Sequence, residues 1–349
     1  MSAAMDAAAA FFSTGRGQWG LVALSGVLAA LLAHLLTPVA MQVAQQYGLV
    51  DRPDGRLKRH ASPVPYLGGA AVYLAFIVTL GVTYSFSREV LALLLAGTMV
   101  VLLGLVDDIG AISPRAKLLG QVLATMVLMK AGIVIQIVWL PWYVSWPLTF
   151  IWLIGITNAI NLVDIMDGLA AGVGLIAALA LLVVALINGN HQIAILTATL
   201  AGALAGFLRY NFQPARVYLG DTGSLFIGLN LGALAMIGSY TERSQVGLLA
   251  PVTILGVAIF DTLFVMYIRH RRGVSMFLGS PDHFALRLRR WRLSVRQTVA
   301  LSWAAGALLG ASGVAVMLLG TSGAIGLLAL LALSVLAAAL WLKKIDMGL

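Results

Sequence analysis

The sequence predicts an all-α polytopic integral membrane protein, and three observations lead to that class. The chain has 349 residues, of which 61% are hydrophobic and only 10% are charged. A soluble protein of this size cannot bury so much apolar surface. The apolar residues also recur in runs of about twenty, the length at which a helix crosses a bilayer. The chain has no cysteine, which excludes disulfides and thiolate metal sites.

The twenty-residue criterion predicts about eleven membrane spans in one membrane-embedded domain covering residues 1–349. The segment before Trp19 lacks the basic region of a cleaved signal peptide, so the first span is expected to be retained. Residues 132–146 contain Pro141 and are not expected to cross. The spans are predicted near 19–45, 66–86, 89–107, 114–131, 145–162, 167–187, 191–211, 221–239, 246–269, 297–319 and 323–343.

The basic residues predict how these spans are oriented. An odd number of spans places the two termini on opposite sides of the membrane. One side then carries the C-terminus and 18 of the 22 Lys and Arg residues, so the positive-inside rule makes it cytoplasmic and puts the N-terminus outside. Topology thus accounts for the net charge of +9 without nucleic acid as a partner. The cytoplasmic loops, which are expected to form the active site, are 46–65, 108–114, 163–166, 212–220 and 270–296.

The acidic residues collect on the same side, although topology does not require it. Ten of the 13 lie on or near the predicted cytoplasmic face, and Asp and Glu contribute little to orientation. A carboxylate at the edge of the hydrocarbon is costly unless something compensates it. The pattern therefore indicates a divalent cation with phosphate bound to it. Five of these ten acidic residues come from three loops on this face and are the candidates for binding the cation. They are Asp107, Asp108, Asp164, Asp167 and Asp221.

The first motif, LVDDIG followed by SPRAK, joins two adjacent carboxylates to the start of a new helix. Asp107 and Asp108 end one predicted helix, and adjacent carboxylates suit Mg²⁺. Ser113 and Pro114 have the character of an N-cap and a first helical residue. The free N–H groups of such a helix start favour phosphate, and Lys117 in its first turn adds a positive charge. The alternative is a solvated turn with a snorkelling lysine.

The second motif, NAINLVDIMDG, places four polar side chains in an otherwise apolar stretch. Asn161, Asp164 and Asp167 follow one another at intervals of three, so on a helix they share a face, and Asn158 extends it. Polar residues between hydrophobic flanks of a membrane protein indicate function by default. The alternative is a loop that is merely hydrated.

Asp221 and Asp261 are also candidates, and each has a purely structural role as its alternative. Asp221, in YLGDTGS, can bind a hard cation at a helix start or can only cap that helix. Tyr218 in the same motif can stack on a base. Asp261 lies inside a predicted span, where it either serves the substrate or pairs with a neighbouring polar group.

Two basic segments complete the candidate set. Lys58 and His60 belong to a basic run that either meets a phosphate or serves topology alone. His283 and Arg287 lie in the 270–296 loop, where a lone histidine is most often a surface residue.

Taken together, the motifs LVDDIG, NAINLVDIMDGLA, LGDTGS and FDTLF resemble, in this order, the polyprenyl-phosphate N-acetylhexosamine-1-phosphate transferases, a family that includes the phospho-MurNAc-pentapeptide translocase. The resemblance runs from about Asp51 to Arg287, and the family's eleven-helix branch has the predicted number of spans. It implies transfer of a sugar-1-phosphate from a UDP-N-acetylhexosamine, with UDP-GlcNAc favoured, to undecaprenyl phosphate. The products are a polyprenyl diphosphate-sugar and UMP.

The resemblance also implies a setting and a set of residue roles. The enzyme would lie in the bacterial cytoplasmic (inner) membrane, among membrane lipids, and would initiate cell-envelope polysaccharide synthesis; a homodimer is left open. The expected cofactor is Mg²⁺, with Mn²⁺ as the other candidate, held by Asp221 with Asp107 and Asp108. The catalytic set is Asp107, Asp108, Lys117, Asp164 and Asp167, and the substrate-binding set is Lys58, His60, Asn158, Asn161, Tyr218, Asp261, His283 and Arg287.

One departure from the family pattern concerns the sugar. The family usually carries a His-x-His-His-Arg cluster in its last large cytoplasmic loop. His283 and Arg287 occupy the first and last of these positions, but Ala285 and Leu286 replace two histidines. Because this loop is associated with sugar recognition, the identity of the sugar is left open.

Two other functional classes also use membrane-embedded or membrane-edge carboxylates or share such a fold. A cation- or proton-coupled transporter would need acidic residues near mid-membrane and some internal symmetry. Asp261 alone lies deep, and no internal repeat is evident. A catalytically silent scaffold would tolerate loss of the aspartates, whereas all five are present.

Overall fold

The structure, a computed structural model, describes residues 15–51, 63–84, 86–110, 112–137, 139–275 and 281–347, and these residues are almost entirely helical. Strands β1 (Val50–Asp51) and β2 (Val64–Pro65) pair antiparallel, with Val50 opposite Pro65. A 3₁₀-helix covers Gln245–Leu249. The α-helices are α1 Gly15–Gln46, α2 Gly68–Thr83, α3 Arg88–Ile109, α4 Pro114–Lys130, α5 Trp142–Val163, α6 Leu169–Ile187, α7 His191–Asn211, α8 Gly220–Ile237, α9 Ala250–Ile254, α10 Gly256–Arg271, α11 Phe284–Arg290, α12 Val295–Leu318 and α13 Thr321–Lys343.

The prediction of a multi-pass helical membrane protein is confirmed. Eight described helices are long and apolar enough to cross a membrane, and a ninth span results if Gln245–Ile254 and Gly256–Arg271, bent by 76°, are taken together. The predicted number of eleven and the orientation of the termini stay predictions. The two predicted spans missing from these nine are α2 and α4. They have 16 and 17 residues and fall short of the twenty-residue criterion.

One end of the helices gathers the predicted cytoplasmic loops. The backbone N–H of Gly68 at the start of α2 donates to the Tyr218 carbonyl, 3.1 Å away, just before α8. The indole Nε1 of Trp303 in α12 donates to the Gly168 carbonyl (3.1 Å), and the Nε of Arg296 donates to the Gln213 carbonyl (3.2 Å). We call this the aspartate end, because α3 ends here with its two aspartates and α8 begins here.

The opposite end is held together by a separate set of contacts. The guanidinium of Arg88, at the start of α3, donates to the Lys130 carbonyl at the end of α4 (2.9 Å). The amide of Asn188 donates to the Ser239 carbonyl (2.7 Å), which joins the ends of α6 and α8. Successive helices therefore run alternately from one end to the other.

The spans differ in how much of their surface other helices cover. Helices α7 and α8 are the most enclosed, while α13 is exposed on nearly every face. On α13, Leu330, Leu333 and Leu336 are all more than half exposed, as expected for a helix that faces hydrocarbon.

Close backbone approach brings α3 onto the first turn of α8. A Cβ atom built on Gly104 would lie 2.4 Å from the Thr222 nitrogen and 2.5 Å from the Asp221 carbonyl oxygen. Any side chain at this position would push the start of α8 away from the end of α3. Gly104 thus sets the distance between the two helices that carry most of the clustered carboxylates.

We expect Gly104→Ala to lower the free energy of unfolding by about 2 kcal/mol, because overpacking forces the two backbones apart. The matched control is Gly155→Ala in α5, where an added Cβ would meet no atom within 4 Å. Thermal unfolding in detergent compares the two variants. Equal midpoints would show that the approach of α3 to α8 is not needed for stability.

Candidate active site

The start of α8 is anchored by Asp108 at the end of α3. Its Oδ1 accepts a hydrogen bond from the Asp221 backbone nitrogen at 2.8 Å. Its Oδ2 accepts from the Thr222 nitrogen at 3.0 Å and from the Thr222 hydroxyl at 2.7 Å. Gly220 precedes this turn with φ +70°, and a Cβ there would lie 2.6 Å from the Asp108 Oδ2. Asp108 therefore caps α8 and fixes where the Asp221 side chain begins.

Lys117 joins the carboxylates of two different helices. Its Nζ lies 3.0 Å from the Asp107 Oδ2 and also contacts the Asp221 Oδ2. The Oδ1 of Asn161 lies 3.3 Å from the same ammonium. The side chains of Lys117, Asp107 and Asp221 are 18%, 16% and 29% exposed, so a ligand can reach them. We call Asp107, Lys117, Asn161 and Asp221 the aspartate–lysine cluster.

Asn161 fixes the second oxygen of Asp221. Its Nδ2 donates to the Asp221 Oδ1 at 2.7 Å and to the Ser224 hydroxyl at 2.8 Å. Ser224 is a site residue that the sequence analysis missed, although it lies three residues after Asp221 and so on the same helix face.

Asn158 lies one turn before Asn161 and pairs with another helix. Its Nδ2 donates to the Gln121 Oε1 at 2.6 Å, and the Gln121 Nε2 donates back to the Asn158 Oδ1 at 3.2 Å. Gln121 is 2% exposed. This reciprocal amide pair ties α5 to α4, so Asn158 supports the position of Lys117, four residues before Gln121. Gln121 too was missed, and its spacing from Lys117 was the available signal.

Two aspartates of the loop between α5 and α6, Asp164 and Asp167, lie beside the aspartate–lysine cluster. The Oδ2 of Asp167 accepts a hydrogen bond from the Ala215 backbone nitrogen at 2.9 Å, which ties this loop to the loop before α8. Burial, and then the nearby charges of Asp221, Asp108 and Asp167, raise the pKa of Asp164 to about 8. The carboxylates of the aspartate end therefore lie close enough to raise the pKa of one of their number.

Tyr218 is pinned by its backbone and faces a second tyrosine. Its nitrogen donates to the Pro65 carbonyl in β2 at 2.8 Å. Its ring centroid lies 5.9 Å from that of Tyr66, at an interplanar angle of 52°. Burial, and then the charges of Asp167 and Asp51, raise the pKa of Tyr218 to about 12, so its phenol stays neutral. The Tyr66 hydroxyl is hydrogen-bonded to Asp51.

A separate buried group surrounds Asp261, which is 0% exposed. Its Oδ2 lies 2.6 Å from the His283 Nδ1, and its Oδ1 accepts a hydrogen bond from the Phe284 nitrogen at 2.9 Å. This pair joins α10 to the start of α11. His283 is 4% exposed, so it is not the surface residue that a lone loop histidine usually is.

Arg287 is enclosed by the protein. It is 1% exposed, and its Nη2 donates to the Asp282 Oδ1 at 2.7 Å. Its Nη1 donates to the Leu342 carbonyl in the last turn of α13 at 3.3 Å, and to the Ile345 carbonyl just after α13 at 2.9 Å. Arg287 thus fastens α11 to the C-terminal end of α13. Its predicted substrate contact stays a prediction.

Arg269 is a further candidate that the sequence analysis counted only among the topological basic residues. It is 4% exposed, and its Nε and Nη1 have no hydrogen-bond partner among the described residues. A buried guanidinium without an anion is costly. Burial was the deciding signal, and no sequence pattern reveals it.

The predicted metal set is divided by the structure. Asp107 and Asp221 meet at one ammonium, whereas both oxygens of Asp108 bind the start of α8. Within the described residues, no three acidic or histidine side chains form a ready-made metal site. Lys58 and His60 lie outside the described residues.

The sequence is similar to that of known proteins over most of its length. Residues 90–239 match the family model described as Glycosyl transferase family 4. A probable undecaprenyl-phosphate N-acetylglucosaminyl 1-phosphate transferase of Bacillus subtilis is 31% identical over 84% of this chain and 84% of its own length. A decaprenyl-phosphate N-acetylglucosaminephosphotransferase of Mycobacterium tuberculosis is 32% identical over 76% of this chain and 74% of its own.

A third relative extends the match to another branch. A phospho-N-acetylmuramoyl-pentapeptide-transferase of Moorella thermoacetica is 34% identical over 82% of this chain and 96% of its own length. These matches cover far more than the motif segments, and they confirm the resemblance expected from the sequence. The chain belongs to the polyprenyl-phosphate N-acetylhexosamine-1-phosphate transferase family.

Proposed function

We propose that this protein transfers GlcNAc-1-phosphate from UDP-GlcNAc to undecaprenyl phosphate, giving undecaprenyl diphosphate-GlcNAc and UMP. The product would start a cell-envelope polysaccharide at the bacterial cytoplasmic membrane. The names of the relatives from B. subtilis and M. tuberculosis support GlcNAc as the sugar. The observation that carries the proposal is the aspartate–lysine cluster, in which Lys117 is shared by Asp107 and Asp221 from two helices.

The reaction joins two anions, and the cluster suits that task. An oxygen of the lipid phosphate attacks the phosphorus that carries the sugar. The bond from that phosphorus to the bridging oxygen breaks, and UMP leaves with the oxygen. Catalysis of phosphoryl transfer depends mainly on positioning and on neutralising charge. Lys117 supplies a partly exposed cation for this purpose, held in place by Asp107 and Asn161.

The same residues fit a divalent cation, Mg²⁺ or Mn²⁺. Mg²⁺ is usually bound by one or two carboxylates together with water and phosphate oxygens, and Asp107 and Asp221 offer two carboxylates in reach of one point. The charges of Asp221, Asp108 and Asp167 contribute, after burial, to the raised pKa of Asp164, and a bound cation would offset them. When bound, the cation would neutralise phosphate charge. Asp108 would contribute indirectly, because its hydrogen bonds fix the start of α8, which carries Asp221.

Other polar groups supply contacts to the nucleotide-sugar. The neutral Tyr218, beside Tyr66, offers a face for the uracil base. An anionic group of the substrate would give Arg269 the partner that the described residues lack. Asp164 and Asp167 would border the diphosphate.

We also infer the membrane arrangement. Helices α1 to α8, the bent unit ending in α10, α12 and α13 alternate between the two ends, which makes eleven crossings if the short α2 and α4 are included. The aspartate end would face the cytoplasm, because 18 of 22 Lys and Arg residues belong to that side. A transporter is not favoured, since the deep Asp261 is already bonded to His283 and Phe284.

The proposal predicts a labelled lipid. Purified protein in nanodiscs with undecaprenyl phosphate is given UDP-GlcNAc labelled with ³²P in the sugar-side phosphate. The label should enter the organic phase while UMP appears in equal amount, and EDTA should stop both until Mg²⁺ is restored. UDP-GalNAc and UDP-MurNAc-pentapeptide test the sugar. UMP release without labelled lipid, or labelled lipid only from another sugar, would contradict the proposal.

A further inference from the structure

Three aromatic side chains gather at the aspartate end, where α10, α11 and α13 meet. The indole of Trp291, directly after α11, contacts that of Trp341 edge to face, with ring centroids 4.8 Å apart and an interplanar angle of 85°. Tyr267 lies in α10, and its hydroxyl accepts a hydrogen bond from the Lys343 Nζ at 3.2 Å. The three rings are between 40% and 54% exposed, so each keeps an open face.

These rings mark a level in the membrane. Half-exposed tryptophan and tyrosine side chains are typical of the boundary between hydrocarbon and headgroups. The helix that carries Trp341, α13, is exposed on nearly every face and is apolar enough to lie in hydrocarbon. The three rings therefore lie where α13 leaves the hydrocarbon and enters the headgroup layer.

Exposed basic side chains contact these rings or neighbour them along the chain. They are Arg271, Arg290, Arg292, Lys343 and Lys344. The Lys343 Nζ lies 5.4 Å from the centroid of the Tyr267 ring. Arg271 follows Tyr267 by four residues and so lies on the same face of α10. We call these five basic and three aromatic side chains the basic–aromatic surface.

Neighbouring carboxylates offset little of this positive charge. Asp282 is buried and pairs with the Arg287 Nη2 at 2.7 Å and the Arg272 Nη1 at 3.1 Å, and neither arginine belongs to the surface. Asp346 adds one exposed carboxylate beside the five cations. The basic–aromatic surface is therefore suited to an anion.

Arg292 occupies a backbone position that favours glycine. Its φ is +80°. Its nitrogen donates to the Arg289 carbonyl at 3.1 Å, and the Leu293 nitrogen donates to the Leu288 carbonyl at 3.2 Å, which is the pattern of a Schellman C-cap after α11. Glycine adopts this conformation without steric cost, whereas an arginine is strained. The turn alone would favour glycine, so the arginine indicates a role for its side chain.

We propose that the basic–aromatic surface binds the headgroup of an anionic glycerophospholipid from the leaflet at the aspartate end. Its cations would meet the lipid phosphate, its rings would lie at the level of the glycerol esters, and the acyl chains would run along α13. Basic side chains beside an anionic bilayer surface each add to the attachment. The positive-inside rule explains how many basic residues this side carries, but not why they collect around exposed rings.

The chemistry of the surface favours a lipid over a soluble anion. A free phosphate or nucleotide would need the cations alone, whereas the rings and the lipid-facing α13 suit a molecule that carries acyl chains.

The test is native mass spectrometry of the full chain in detergent, titrated with phosphatidylglycerol or with zwitterionic phosphatidylcholine. We expect the wild type to bind phosphatidylglycerol at least about tenfold more tightly than phosphatidylcholine. The double variant Arg292→Gly/Lys344→Gln should lose about tenfold in affinity for phosphatidylglycerol and keep its affinity for phosphatidylcholine. The matched control, Lys130→Gln/Arg243→Gln, removes two exposed charges from the opposite end and should bind both lipids as the wild type does.

Thermal unfolding of Arg292→Gly without phospholipid separates binding from folding. Its midpoint should equal or exceed that of the wild type, because glycine relieves the left-handed conformation. A lower midpoint would show that the arginine serves the turn, which contradicts the role given to its side chain.

Three binding results would overturn the proposal. They are equal affinity of the wild type for the two phospholipids, equal affinity of the double variant and the wild type for phosphatidylglycerol, and a double variant that loses undecaprenyl phosphate while keeping phosphatidylglycerol. The last result would assign the surface to the lipid substrate instead.

Discussion

Asp221→Asn is expected to lower the rate of sugar-phosphate transfer by about a thousandfold. Its Oδ2 contacts the Lys117 ammonium and its Oδ1 accepts from Asn161 at 2.7 Å, so the charge lies at the centre of the cluster. An asparagine has the same size and leaves the backbone hydrogen bond to Asp108 intact. The loss would therefore come from charge, with the fold unchanged.

The measurement for Asp221→Asn is the initial rate of labelled-lipid formation at saturating substrates and Mg²⁺. The matched control is Glu242→Gln, which neutralises an exposed carboxylate in the segment that joins α8 to the 3₁₀-helix, beyond the end of α8 opposite to Asp221. It should retain the wild-type rate. A rate for Asp221→Asn within threefold of wild type would remove this residue from the catalytic machinery.

Lys117→Met should reduce the same rate by about the same factor, for the complementary reason. Lys117 is the ammonium on which Asp107, Asn161 and Asp221 converge. Methionine keeps the length of the side chain but leaves two carboxylates facing each other and removes the positive charge that meets the phosphate. Lys117→Arg keeps the charge and is expected to lose less.

The same helix supplies the control for Lys117. Lys130→Met changes an exposed lysine at the far end of α4 and should leave the rate unchanged. The Mg²⁺ dependence then distinguishes two roles. If excess Mg²⁺ restored Lys117→Met to the wild-type rate, the lysine would only balance the carboxylates, which contradicts a direct role toward phosphate.

Local sequence patterns were enough for the class, the helix order and most of the cluster. Apolar runs revealed the long spans, and the polar interruptions located Asp107, Lys117, Asn161 and Asp221, which the structure brings together. The number of spans depends on α2 and α4, because these helices have 16 and 17 residues and are shorter than the twenty-residue criterion.

What the sequence could not provide was the partner of each side chain. Asp107 and Asp108 are adjacent, yet one meets Lys117 and the other caps α8, because successive helical residues point in different directions. Arg287 and Asp261 are likewise defined by contacts far along the chain. Lys58 and His60 stay predictions, since they lie outside the described residues.

The central claim is that Asp107 and Asp221 hold a divalent cation at the point where the two phosphates react. Binding of Mn²⁺, followed by electron paramagnetic resonance in the presence of UDP-GlcNAc, tests it most directly. We expect one bound Mn²⁺ per chain in the wild type and in Glu242→Gln, and at least about tenfold weaker binding in Asp221→Asn. Equal Mn²⁺ affinity in Asp221→Asn and the wild type would contradict the account.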